Sequence, residues 1–389
     1  MMTANTNRFD EAAVGAEGSG AAYGGLGPGR LLSAEPMTAR LLPGLRLPAR
    51  AWRIGYTSTA ADGALLEVTG TVLVPRAPWR GPGERPLIAY AVGTQGLADT
   101  VSAASWQFRL GLEYESLFIT AALRRGWALA ITDYPGLGNP GTHPYVMGRH
   151  LGPAVLDSVR AARRLPAAGL SPDGPLGIYG YSEGGCAAGW ALQLQPSYAP
   201  ELEVTAGAVG SAPADLEDMI KFLDDTPYAF LLFYGVLGLD AAYPELDVLQ
   251  HLKPQGRLLA AILRRTHAVP AAVAGIGLGS IIPTKVSTYC YRPPFEVPEV
   301  RARLLENKLG ALAPAAPVLV AGGTAEQIIP YPQAVALAES WRALGVDVTM
   351  LSMNKREHLT GAFAFAGPAM RFLAERFADA RAVALPRGA

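Results

Sequence analysis

The sequence predicts an α/β fold in which a mostly parallel central sheet is flanked by helices and interrupted by an inserted helical cap. Three observations predict it. Apolar runs of strand length at 86–92, 127–132, 176–179 and 204–209 alternate with helical stretches, the pattern left by parallel strands joined through crossover helices. The stretch Ile178-Tyr179-Gly180-Tyr181-Ser182-Glu183-Gly184-Gly185 runs an apolar strand into a glycine-flanked serine and then into a small-residue helix. From Ala212 to about Ile282 the sheet pattern stops, and it resumes at 318–321.

In chain order, 1–29 is rich in Gly and Ala and reads as a flexible arm. Residues 52–58 and 65–73 flank Ala61-Asp62-Gly63, the signature of a hairpin at a sheet edge. A helix at 117–125 links the strands at 86–92 and 127–132, and a second, at about 147–164, carries alanines and valine on one side and arginines on the other. The insertion contains Phe222, Phe230, Phe233 and Tyr234, which either pack the cap or line a pocket. A helix at 333–344, a strand at 346–351 and a last helix at 368–378 close the chain. The expected division is an arm at 1–29, a core at 30–211 and 283–389, and a cap at 212–282.

Composition excludes several classes. Among 389 residues, half hydrophobic, the formal charge is zero, and no basic face suggests nucleic acid. Two cysteines, Cys186 and Cys290, make neither a disulfide framework nor a metal-ligand spacing. No metal or cofactor is expected. The amino-terminal residues lack a basic start followed by an apolar block, and no apolar stretch reaches spanning length, which predicts a cytoplasmic protein without a membrane segment. The partner is a small molecule; oligomeric state is not legible.

The chemistry centres on Ser182. A serine exposed at a strand-to-helix turn needs small residues two before and two after it, and Gly180 and Gly184 supply them. Such a serine needs a base and an acid, which follow it in the chain in this type of fold. His143 and His150 precede it and His251 and His267 fall in the cap, so His358 is the candidate base. Glu326, in the loop after the strand at 318–321, is the candidate acid; Asp347 competes but alternates with Val346 and Val348 as part of a strand. The oxyanion needs a backbone N–H, expected from Glu183, and a second donor from Gly93-Thr94 or from Asp133-Tyr134. Gly136-Leu137-Gly138-Asn139-Pro140-Gly141 matches a dinucleotide fingerprint, but Pro140 and Pro144 break the helix that must follow.

Several further stretches carry a resemblance. Gly70-Thr71-Val72-Leu73-Val74-Pro75, Gly93-Thr94-Gln95-Gly96, Asp133-Tyr134-Pro135-Gly136, Gly180-Tyr181-Ser182, Gly238-Leu239-Asp240-Ala241-Ala242-Tyr243-Pro244 and Gly323-Thr324-Ala325 stand in the order found in the secretory lipase family of the α/β-hydrolases, which the chain resembles from about 25 to 378. The resemblance implies a Ser182–Glu326–His358 triad, Asp133 and Glu183 around the oxyanion, and a helical cap over an acyl pocket. Thr94, Tyr134, Tyr181, Phe230 and Phe233 are the candidate substrate contacts. Two departures are Glu326, where the family usually has aspartate, and Ser102-Ala103-Ala104-Ser105, where it often has a cysteine; the missing cysteine agrees with a cytoplasmic setting. The implied activity is hydrolysis of a carboxylic ester, lactone or thioester through an acyl-enzyme, on an intracellular metabolite. The alternatives are an acyltransferase or cyclase using an alcohol or amine, and a non-catalytic binding protein.

Overall fold

The structure, a computed structural model, describes residues 25–268 and 285–384. Most of the expected arm, and residues 269–282 of the expected cap, lie outside the described residues.

The strands are β1 (Leu31–Met37), β2 (Arg40–Leu42), β3 (Leu45–Arg46), β4 (Ala49–Thr59), β5 (Leu65–Pro75), β6 (Leu87–Ala91), β7 (Ala128–Thr132), β8 (Leu176–Tyr181), β9 (Val204–Gly210), β10 (Val318–Gly323) and β11 (Val348–Met353). Nine of them form one sheet in the order β1-β4-β5-β7-β6-β8-β9-β10-β11, and β2 pairs with β3 alone. From β7 onward all pairings in this order are parallel, whereas β1, β4 and β5 add an antiparallel edge. Every residue of β6, β7 and β8 is buried, as strands covered on both faces must be.

The covering helices sit on opposite faces. A Cβ at Gly207 of β9 would strike Leu192 of the helix Glu183–Tyr198, while one at Gly177 of β8 would strike Phe377 of the helix His358–Ala384. Gly207 lies opposite Ile178, the neighbour of Gly177, and adjacent strand residues point to opposite faces.

Between β9 and β10 the described residues form helices and connecting turns but no strand, including the helices Leu216–Leu223, Phe230–Ala242, Pro254–Leu263 and Pro298–Glu306. These helices share a second apolar cluster in which Leu232 and Leu237 pack with Val286, Cys290, Val300 and Leu304. Residues on both sides of the expected boundary at 282 bury their apolar faces in this one cluster.

Three other elements differ from expectation. The edge strand β1 was not legible, since Pro36 and its alternating polar residues resemble a loop. The last helix starts at His358 rather than at 368, with Pro368 inside it. Asp347 immediately precedes β11, and its carboxylate pairs with Arg376 at 3.1 Å.

Candidate active site

Ser182 stands where β8 meets the helix Glu183–Tyr198, with φ 61° and ψ −127°. A non-glycine residue holds this conformation only where its surroundings over-determine it. They do so here: a Cβ at Gly180 would lie 1.9 Å from the Gly184 carbonyl oxygen, and one at Gly184 would lie 2.1 Å from the Ala91 carbonyl oxygen. Backbone meets backbone at both positions, so only glycine fits. The Ser182 N–H donates to the Gly210 carbonyl at 3.0 Å, tying the turn to the end of β9.

His358 brings its Nε2 to 2.9 Å from Ser182 Oγ and its Nδ1 to 2.9 Å from Glu326 Oε1. The ring is held from several sides. The His358 N–H donates to Gln327 Oε1 at 2.9 Å, and the Tyr181 hydroxyl donates to the His358 carbonyl at 2.7 Å. Glu326, buried in the loop after β10, also accepts from the N–H groups of Ile328 and Ile329. Glu357 caps the helix that presents the histidine: its carboxylate accepts from Leu359 N–H at 3.0 Å and from Thr360 N–H at 2.8 Å. Burial pushes the Glu357 carboxyl up, but hydrogen bonds from Thr360, Leu359 and Gln327 outweigh it and bring it down to about 2.

A cavity of about 450 Å³ opens beside these groups and is predominantly apolar. Ser182, His358, Glu183, Thr94, Tyr181 and Phe230 contribute to its wall. Among the described residues, the N–H groups of Glu183 and Thr94 have no hydrogen-bond partner, and both residues face this space. Of the five histidines, His358 alone lines it.

Three candidates lie elsewhere. Asp133, expected near the oxyanion, is fully buried; its N–H donates to the Thr69 carbonyl at 2.8 Å, and its carboxylate accepts from the Thr69 hydroxyl, the Ser105 hydroxyl and the Ser105 N–H. Neither its backbone donor nor its side chain is available to a substrate. Tyr134 is buried, stacks on His143 and donates its hydroxyl to the Val92 carbonyl at 2.8 Å. Phe233 packs edge-on against Tyr289 inside the insertion. Its helix Phe230–Ala242 is apolar on nearly every side, so helical periodicity could not separate packing from lining positions.

Other features of the site were not anticipated. His143 Nε2 lies 2.6 Å from Glu183 Oε1, and its Nδ1–H donates to the Pro135 carbonyl at 3.1 Å. Glu113 and Glu115 are also buried nearby. Burial raises the Glu113 carboxyl to about 8, aided by the charge of Glu115; burial likewise lifts Glu115 to about 7 against the pull of hydrogen bonds from Tyr90 and Gly93. The sequence signal was two carboxylates two residues apart just before an apolar helix, a pattern that by itself reads as a solvated turn.

Comparison with known proteins now bears on this arrangement. The family model described as "Secretory lipase" matches residues 104–384. A Mycobacterium tuberculosis protein named "Probable inactive lipase" is 30% identical over 363 residues, covering 90% of this chain and 79% of the relative. A secreted triacylglycerol lipase of Malassezia furfur is 29% identical over 253 residues, 64% of this chain and 53% of that protein, so the match spans about half of its length. The crystal structure of Candida antarctica lipase A in its closed state superposes with a TM-score of 0.80 at 21% identity, covering 92% of this chain and 84% of that one, a likeness of fold.

These findings overturn the expectation of a cytoplasmic protein. The matching family is secretory and several relatives are named as secreted, which points outside the cell. The missing cysteine and amino-terminal composition were indirect signs that do not outweigh this kinship. The extent of the family match and the shared fold establish that the chain belongs to the secretory lipase family of lipase and esterase-type hydrolases, on an α/β-hydrolase fold.

Proposed function

We propose that the protein hydrolyses a carboxylic ester through an acyl-enzyme on Ser182, with His358 as base and Glu326 as the acid that orients it. The observation that carries this reading is the continuous relay in which Ser182 Oγ, the His358 ring and Glu326 Oε1 are joined by contacts of 2.9 Å and 2.9 Å. In this reading Ser182 Oγ attacks the carbonyl carbon while its proton passes to His358 Nε2. The Nδ1–H donates to Glu326, which fixes the tautomer and stabilises the positive charge developing on the ring.

The N–H groups of Glu183 and Thr94 receive the negative charge on the carbonyl oxygen. Collapse of the tetrahedral adduct expels the alcohol, which takes the proton from His358. Water then repeats the sequence, with His358 as base, and releases the carboxylic acid. The Glu326 carboxylate that meets the histidine also accepts from the Ile328 and Ile329 N–H groups of its own loop, which helps to fix its position. The apolar cavity suits an acyl chain, and the Malassezia relative's name supports a fatty acyl ester as the substrate class.

The name of the Mycobacterium relative favours a second reading, a binding protein that retains the scaffold without turnover. Intact mass after exposure to a fluorophosphonate separates the two. A single adduct, absent from Ser182→Ala and His358→Ala, is expected for the hydrolase. No adduct, under conditions in which a known serine hydrolase labels fully, would favour the binding protein. Product analysis with added alcohols tests whether water is the acceptor.

A further inference from the structure

We propose that Glu113, Tyr114 and Glu115 are positioning residues that clamp the loop Gly93-Thr94-Gln95 and thereby aim the Thr94 N–H at the substrate's carbonyl oxygen, an inference that rests on the hydrolase reading above. Three consecutive residues grip three others in reverse order. Glu115 Oε1 accepts the Gly93 N–H at 2.6 Å, the Tyr114 hydroxyl donates to the Thr94 carbonyl at 3.1 Å, and Gln95 Nε2 donates to Glu113 Oε1 at 3.4 Å. The clamp is itself anchored to the sheet, because Glu115 Oε2 accepts the Tyr90 hydroxyl of β6 at 2.6 Å.

The geometry acts on one peptide unit. A peptide is a rigid plane, so a chain turns only about the bonds between planes. The Glu115 bond fixes the plane that carries the Gly93 N–H, and the Tyr114 bond fixes the plane that carries the Thr94 carbonyl. The plane between them ends in the Thr94 N–H. With both neighbours held, its direction is set before a substrate arrives, which is the condition for an oxyanion donor to lower a barrier.

Without the clamp, glycine at 93 would let this plane swing. A Cβ there would come within 2.8 Å of the Tyr114 hydroxyl and 2.9 Å of Glu115 Oε1, so a larger residue would push both clamping side chains away. The same residue that permits the close grip therefore creates the need for it.

The test uses the full chain, a short p-nitrophenyl ester and a fluorophosphonate that both labels and counts active sites. Glu115→Ala is expected to lower kcat per titrated site about 10- to 100-fold, up to the cost of losing one oxyanion donor, with KM changed less than about twofold. Glu115→Gln retains an acceptor for the Gly93 N–H and is expected to recover most of that loss. Tyr114→Phe removes a single hydroxyl from a side chain that is 45% exposed, so it folds even if Glu115→Ala does not; its kcat is expected to fall about 3- to 10-fold. Wild-type protein that labels and turns over, alongside Tyr114→Phe at the wild-type kcat and labelling rate, would overturn the clamp alone. Wild-type protein that neither labels nor turns over would remove the hydrolase reading, and the clamp with it.

Discussion

Glu183, the residue immediately after Ser182, is held from behind by His143, whose Nε2 lies 2.6 Å from the glutamate Oε1 while both side chains are buried. The pair ties the first turn of the helix after β8 to the loop after β7. It thereby sets where the Glu183 N–H stands.

Removing one partner leaves the other polar group buried, at a cost of about 3 kcal/mol or more. His143→Leu is therefore expected to lose about that much stability in urea unfolding, with kcat reduced as the Glu183 N–H shifts. Glu183→Gln, which retains a hydrogen bond to the ring, should lose less. Equal stabilities for wild type and His143→Leu would show that the pair contributes little to the fold.

Under the proposed mechanism Glu326 is the acid, and shortening it is expected to weaken its hold on the ring. Glu326→Gln removes the charge that stabilises the ring, and is expected to reduce kcat about 10⁴-fold, by the measure of the corresponding change in serine proteases. Glu326→Asp withdraws the carboxylate by one methylene from a 2.9 Å contact and is expected to cost about 100-fold. Steady-state kinetics with folded variants, checked by circular dichroism, measures both.

Asp133 gives the contrasting result. Its carboxylate holds Ser105 and Thr69 rather than Ser182. Asp133→Ala is expected to destabilise by about 1 to 3 kcal/mol, through stranded buried donors, and to leave kcat within about threefold. A large kcat loss in a variant of unchanged stability would return this residue to the oxyanion.

Stability should fall with rising pH. Burial raises Glu113 to about 8 and Glu115 to about 7, above an unfolded value of 4.5. Between these limits the folded chain keeps protons that the unfolded chain has released, so the two glutamates favour folding most below about pH 4.5 and lose that contribution up to about pH 8. The midpoint of thermal unfolding is expected to drop by several degrees from pH 5 to pH 9 through this effect. Glu113→Gln, which cannot ionise, should flatten the slope; an unchanged slope would mean that Glu113 does not contribute to it.

The parallel strands and the elbow were legible because local patterns encode them. Continuous apolar runs require two covered faces, and glycines flanking a serine require close backbone approach. Ser182, Glu326 and His358 could be nominated by chain order, and the geometry brings the three together. What sequence did not reveal depends on meetings between distant segments. Glu115 finds Gly93 and His143 finds Glu183 only after folding, and nothing in their immediate surroundings marks them. Tyr134 and Phe233 show the converse: a resemblance and an aromatic-rich helix suggested substrate contact, whereas packing turned both side chains inward. Pro368 resembled a helix start, but the helix begins ten residues earlier, where Glu357 satisfies its first N–H groups.

The order of the three central residues also sets a timetable. His358 follows Ser182 by 176 residues and opens the helix His358–Ala384, which must dock on β9 and β10 before the ring can reach the serine. A growing polypeptide forms its amino-terminal contacts first, and contacts of large separation are slow to close. During synthesis the strained serine turn can therefore be built well before any base stands beside it. Under the proposed mechanism, Ser182 gains its base only once the segment carrying His358 has been made and docked, so the timing of any reactivity would be set by the order of these residues along the chain.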